Sequence, residues 1–258
     1  MRIATWNVNS IAARLPRLLD WLDHAAPDVV CLQETKTSDD QFPTLLVEGL
    51  GYEVAAHGEG RWNGVALLSR VGIEEVARGL PEAPAFEQTE ARAVGATCGG
   101  VRVWSVYVPN GREPGHAHYD YKLAWLGALR TEMERELART DSLALCGDFN
   151  IAPTDDDVWD PAQFAGSTHV TPPEREALAA VRKLGLTDVI PRPLKYDRPF
   201  TYWDYRAGMF HKNQGMRIDL VLLTGGLAGR VGDAYVDRDA RKGTGPSDHA
   251  PVVVDLAG

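Results

Sequence analysis

Four short polar clusters hold the residue types that can do chemistry in this chain: Trp6-Asn7-Val8-Asn9, Gln33-Glu34-Thr35-Lys36, Gly147-Asp148-Phe149-Asn150 and Ser247-Asp248-His249. Together they supply carboxylates, carboxamides and one imidazole. Hard oxygen donors of this kind suit a divalent cation such as Mg²⁺, which takes one or two carboxylates and keeps several waters. With a histidine beside them they suit attack by an activated water on a phosphate ester.

Each residue has a plainer alternative. Glu34 follows the apolar run Val29-Val30-Cys31-Leu32 and is either a solvated strand-end charge or a metal ligand. Asn7 and Asn9 sit where a strand disfavours Asn. They either cap a loop or serve, with Glu34, as ligands. Asp148 and Asn150 project to the same side if the chain stays extended. Asn150 would then hold Asp148 in the orientation that accepts a proton from water. The ordinary alternative is a turn in which both bond the backbone. His249 adjoins Asp248, and Asp219 offers a second carboxylate that can fix the imidazole tautomer and favour its cationic form. Tyr107 ends an apolar strand and either faces water or donates to a phosphate. There is no GxSxG and no phosphate-cradling GxxxxGK[ST] loop. His and Cys are scattered, which disfavours zinc.

These clusters need elements that bring them together. Apolar runs predict strands at Ile3–Asn7, Val29–Gln33, Tyr52–Ala56, Gly64–Ser69, Val101–Pro109, Leu143–Asp148, Ile218–Leu223 and Val252–Leu256. Periodicity predicts helices at Ala12–His24, Tyr121–Arg139 and Pro173–Leu184. Many strands with few helices imply an α/β fold of two packed sheets with helices outside. The chain of 258 residues is long enough for a large core. One domain over 1–258 is expected, because the clusters span the chain and must meet. Thr154 to Pro173 reads as a long excursion near the site.

A hydrophobic share of 44% and a charged share of 24% fit a globular protein, and no apolar stretch is long enough to span a bilayer. Met1 leads directly into a strand with no signal peptide, and the three cysteines form no CxxC pair. A cytoplasmic protein with buried thiols is the expectation. The net charge of −9 argues mildly against a nucleic-acid partner. Basic residues nonetheless gather in loops, namely Arg61, Arg112, Lys122, Lys195, Arg198, Arg206, Lys212, Arg217, Arg241 and Lys242, either as a footprint for phosphate or as scattered surface charge.

In this order and spacing the clusters resemble the exonuclease III family of DNA repair enzymes, within the endonuclease/exonuclease/phosphatase superfamily. Leu32-Gln33-Glu34-Thr35-Lys36, Gly64-Val65-Ala66-Leu67-Leu68, Tyr107-Val108-Pro109-Asn110-Gly111, Tyr202-Trp203-Asp204-Tyr205-Arg206 and Arg217-Ile218-Asp219 support the match over essentially the full chain. The resemblance implies a DNase I-like four-layered α/β sandwich and Mg²⁺- or Mn²⁺-dependent hydrolysis of DNA phosphodiesters. It makes Glu34 the principal metal ligand, with Asn7, Asp148, Asn150, Asp248 and His249 in the metal site. Asp148 activates or orients the attacking water. Tyr107, Asn150 and His249 hold the phosphate, and Asp219 partners His249. Ser10 stands where the family usually has glycine, which should change a turn. Tyr202, Met216 and Ile218 match an apolar pocket for a flipped deoxyribose, Arg206 enters the duplex beside it, and Lys122 contacts phosphate. His169 either narrows that pocket and favours 3′-end cleavage or is an ordinary loop histidine.

The expected partner is double-stranded DNA with abasic sites or 3′ ends, acted on by a monomer. Expected activities are abasic-site incision, 3′-to-5′ digestion and 3′-phosphate removal. The rivals are a superfamily phosphodiesterase acting on lipid or inositol phosphates and a non-catalytic DNA-binding module.

Overall fold

The computed structural model describes residues 1–258. Thirteen strands form two mixed sheets. The first sheet runs in the order β10 (Arg192–Pro193), β12 (Val231–Val236), β13 (Val252–Leu256), β1 (Arg2–Asn7), β2 (Val29–Gln33), β4 (Val65–Ser69) and β3 (Glu53–His57). The second runs β5 (Glu74–Arg78), β6 (Ala93–Cys98), β7 (Val101–Tyr107), β8 (Leu143–Asp148), β11 (Asp219–Thr224) and β9 (Leu186–Asp188). In the first sheet β1 and β2 are parallel, as are β10 and β12; in the second only β7 and β8 are.

Both sheets are buried on two faces, so their central strands are continuously apolar rather than alternating. Ile3, Val29, Cys31, Val65, Val103, Ala144, Cys146, Val221 and Val252 fill the space between the sheets. Their sequence neighbours point the other way. Ala4, Trp6, Val30 and Leu32 meet Leu18 and Leu22 of helix α1 (Ile11–Ala25) on the first sheet's outer face. Trp104, Leu143 and Leu145 meet Trp125, Leu129 and Met133 of α2 (Ala117–Leu137) and Leu178 and Val181 of α3 (Pro172–Arg182) on the second. The result is the expected four-layered sandwich. Cys31, Cys98 and Cys146 are free and buried. No helix is long and apolar enough to cross a membrane.

The eight predicted strands and three predicted helices are present, with shifted ends. The strand expected to reach Pro109 stops at Tyr107, and the second helix begins at Ala117. Five strands lacked a sequence signal. β5 is an exposed, charged edge, β6 reads Ala-Val-Gly-Ala-Thr-Cys with little β propensity, and β12 is interrupted by Gly232-Asp233. β9 and β10 are too short to show a period.

The site follows from strand parity. Side chains two residues apart share a face. Asn7 thus continues the inward row of Ile3 and Thr5, and Asp148 that of Ala144 and Cys146. Tyr107 pairs with Asp148 and Asp148 with Asp219 in register, so three inward residues form one row across β7, β8 and β11. Asn7 pairs with Gln33 in the facing sheet. At this end of the sandwich the inward positions turn from apolar to polar.

Candidate active site

The inward polar residues meet directly. Asn7 Nδ2 donates to Glu34 Oε1 at 2.8 Å and to Asp148 Oδ2 at 2.9 Å. Asp148 lies 3.8 Å from His249 Nε2, and His249 Nδ1 lies 2.8 Å from Asp219 Oδ2. Ligand-capable atoms of Glu34, Asp148 and His249 all fall within 4.8 Å of one another. Beneath them Gln33 Nε2 donates to Thr5 and Ser105, both at 3.0 Å, which ties the sheets together with satisfied polar contacts.

Local backbone geometry aims these groups. A Cβ at Gly147 would meet the Val106 carbonyl oxygen at 2.0 Å, so only glycine lets β8 approach β7 just before Asp148. Glu34 has φ +51°, which turns it out of β2 over the end of the sandwich. Ser10 keeps a left-handed φ of +86°. The Ser10 hydroxyl caps α1 by accepting from Ala13 N at 3.4 Å.

Electrostatics divide the labour. Burial pushes the Asp148 carboxyl up to about 7, with Asp219 adding to the shift and His249 opposing it. Burial disfavours a charged His249, but Asp219 and Asp148 outweigh it and raise the imidazole to about 10. Burial also pushes Glu34 up, yet the Lys36 ammonium and the Asn7 amide outweigh it, and the carboxyl lies below its usual range. Burial, with Glu34 adding, raises Tyr107 well above its ordinary value, so its hydroxyl stays a donor. The site therefore has a carboxylate base near neutrality facing an imidazolium.

A cation already marks the oxygen donors. Lys36 Nζ lies 2.8 Å from Glu34 Oε2 and 2.6 Å from Asn9 Oδ1, and Asn9 Nδ2 donates to Asp248 Oδ1 at 3.1 Å. Glu34 is shared between this cluster and the one at Asp148. Hard oxygens converging on positive charge fit a divalent ion. Such an ion would be held by Glu34 and Asp148, with His249 beside them, and would supply positive charge against phosphoryl oxygens.

Two sequence-based placements are corrected here, the extended backbone at Asn150 and the phosphate contact of Lys122, and other site side chains take partners within the protein. Asn7 Oδ1 accepts from Asn9 N at 3.0 Å, so Asn7 presents hydrogens and positions the two carboxylates. Asn150 has φ +50°, not an extended backbone. Its main-chain N–H, at 2.9 Å, holds Asp148, while its carboxamide donates to Val108 O at 2.9 Å and accepts from Asn110. His249 stays within ligand distance of Glu34 and Asp148, and the raised imidazole pKa favours a form that offers a hydrogen to an anionic oxygen. Lys122 is fully buried; its ammonium serves Glu174, Asn150 O and Asn110 O and does not reach solvent.

Tyr202 packs against His249 with the rings tilted by 56° and 4.9 Å between their centres. Met216 and Ile218 pack with Ala152 and Val158 in a closed apolar cluster edged by Tyr202, Phe164 and Val170. Arg206 is exposed and bonded to Asp204. His169 does not behave as an unattached loop residue: Nδ1 lies 2.6 Å from Asn150 O, and burial, with Lys122, lowers it to about 4. Sequence reading missed Lys36, which lay within a recognised cluster, and Thr201, whose hydroxyl donates to Asp219 Oδ2 at 2.6 Å. Thr201 had no local signal, because its partner is distant in sequence.

Residues 4–249 match the Endonuclease/Exonuclease/phosphatase family. The chain belongs to this family. It is 31% identical to exodeoxyribonuclease III of Haemophilus influenzae over 98% of both chains. Among solved structures, a 3′-5′ exonuclease from Neisseria meningitidis superposes with a TM-score of 0.95 at 38% identity, covering all of both chains. A Neisseria 3′ phosphatase bound to a product DNA hairpin gives 0.95 at 37%, again over the whole of both chains. An AP endonuclease from Archaeoglobus fulgidus gives 0.92 at 34% over 99% of each. The family member described here is a phosphodiester hydrolase of the exodeoxyribonuclease III type, a nuclease of DNA repair. The sandwich is the one the sequence implied.

Proposed function

We propose that this nuclease acts on duplex DNA with Mg²⁺ or Mn²⁺, hydrolysing phosphodiesters at 3′ ends and abasic sites and removing 3′ phosphates, with 3′-end processing dominant. It works in the cytoplasm as a monomeric single domain. The observation that carries this reading is the Glu34–Asp148–His249 convergence within 4.8 Å. Asp148 orients and deprotonates the attacking water. The His249 imidazolium, kept charged by Asp219, faces the phosphoryl oxygen, and the Tyr107 hydroxyl donates to the same group. The products are a 3′-hydroxyl and a 5′-phosphate.

The bias towards 3′ ends rests on His169. Its ring lies against the Asn150 carbonyl, and Val170 beside it packs into the Met216–Ile218 cluster. A flipped sugar needs that space, and a half-buried ring at its edge would restrict it. The likeness to the Neisseria 3′-5′ exonuclease and 3′ phosphatase points the same way.

A gel assay tests both parts, using duplexes with one abasic analogue, a recessed 3′ end or a 3′ phosphate, each with Mg²⁺ and with chelator. Cleavage should require the metal. His169→Gly should raise abasic incision relative to 3′-end cleavage by about tenfold, a typical effect of pocket shape. Chelator-resistant cleavage would refute the metal role, and an unchanged substrate ratio would refute that of His169.

A further inference from the structure

Four arginines gather behind the loops that border the site without an ion pair to any carboxylate; Asp239 and Asp248 act on Arg238 and Arg241 only from beyond ion-pair distance. Arg14 donates to Asn9 O and Pro246 O, Arg17 to Ala240 O and Thr244 O, Arg238 to Phe210 O, and Arg241 to Trp203 O. All four Nε atoms are buried with no acceptor. Arg238 and Arg241 are each only 6% exposed, stacked on Phe210 at 3.8 and 5.0 Å. Buried charge without a direct ion pair is costly. In a chain of net charge −9, its concentration here marks a place where an anion arrives.

A depression of about 200 Å³ opens beside Arg241, lined also by Asp204, Tyr205, Phe210, His211 and Lys242. Its one lining carboxylate, Asp204, is occupied by Arg206 at 2.6 Å. The Tyr205 hydroxyl is held by Arg14 at 2.9 Å and its ring by Arg241 at 4.8 Å, which fixes the wall. Two links join this wall to the site: Trp203 N donates to Asp248 O at 2.9 Å, and neighbouring Tyr202 packs against the His249 ring.

We propose that this depression is a second phosphate subsite, in which Arg241 receives a backbone phosphate of the substrate strand away from the scissile one. The inference rests on the nuclease reading and adds a residue that sets the grip on nucleic acid. Planar guanidinium donors suit a phosphate better than an ammonium does. The subsite gives this acidic protein a local footprint for a polyanion.

The test measures KM and kcat for duplex cleavage over a series of salt concentrations, with thermal melting as a check on folding. Arg241→Gln should raise KM several-fold and reduce the slope of log KM against log salt by about one, the signature of one lost phosphate contact. Lys242→Ala, on the exposed rim, should move the slope in the same direction by less. Duplexes with single uncharged methylphosphonates should include one on which wild type and Arg241→Gln perform alike. An unchanged salt slope in Arg241→Gln, or a defect confined to kcat and melting temperature, would overturn the subsite. Failure of the wild type to cut duplex at all would instead overturn the nuclease reading.

Discussion

Asn7 Nδ2 lies 2.9 Å from Asp148 Oδ2, joining the end of one sheet to the end of the other across 141 residues of chain. The same amide donates to Glu34, so one carboxamide spaces two carboxylates that would otherwise repel. Asn7→Ala should leave the fold in place and lower kcat by about 100-fold, the usual cost of removing an oriented donor from a reacting centre. Single-turnover cleavage of duplex DNA reads this directly. A variant within a factor of two of wild type would remove Asn7 from the mechanism.

The paired shifts of Asp148 and His249 set the pH profile. Asp148 must lose its proton to serve as base, so kcat/KM should rise with pH through about 7. It should fall as His249 loses its proton near 10. Stability carries the complementary signature. The Asp148 carboxyl is raised from 3.8 to about 7, so the folded state holds the extra proton in that window. Its contribution to stability is therefore lost as pH climbs through it. Urea unfolding in chelator should show this decline in wild type and a flatter dependence in Asp148→Asn.

Lys122 and Glu174 form an ion pair inside the protein, with both side chains fully buried. Glu174 also accepts from Thr168, Thr171 and the His169 amide. Lys122→Met would leave that carboxylate without its cation at a cost of about 3–5 kcal/mol. For a chain of this size the melting temperature should drop by about 10 °C. The salt dependence of DNA binding should not change, because the ammonium does not face solvent. A shallower salt slope would restore Lys122 as a phosphate contact.

The sequence by itself determined which strands form the centre of each sheet and which residues end them. Apolar runs long enough to be strands stop at Asn7, Gln33 and Asp148, and period-two geometry then dictates the face each terminal side chain shares. Charged edges and two-residue strands stayed illegible, because they bury too little to impose a pattern. The tertiary structure decided what each polar group does. Whether Asn150 offers its side chain or its main-chain N–H depends on a left-handed φ supported by Val108 and Asn110. Whether Lys122 reaches DNA or Glu174 depends on how α2 packs against α3. Whether His249 is charged depends on Asp219 and Asp148 standing beside it at low dielectric. Hydrogen-bond partners and burial are properties of neighbours brought together by packing, and local sequence carries no record of them.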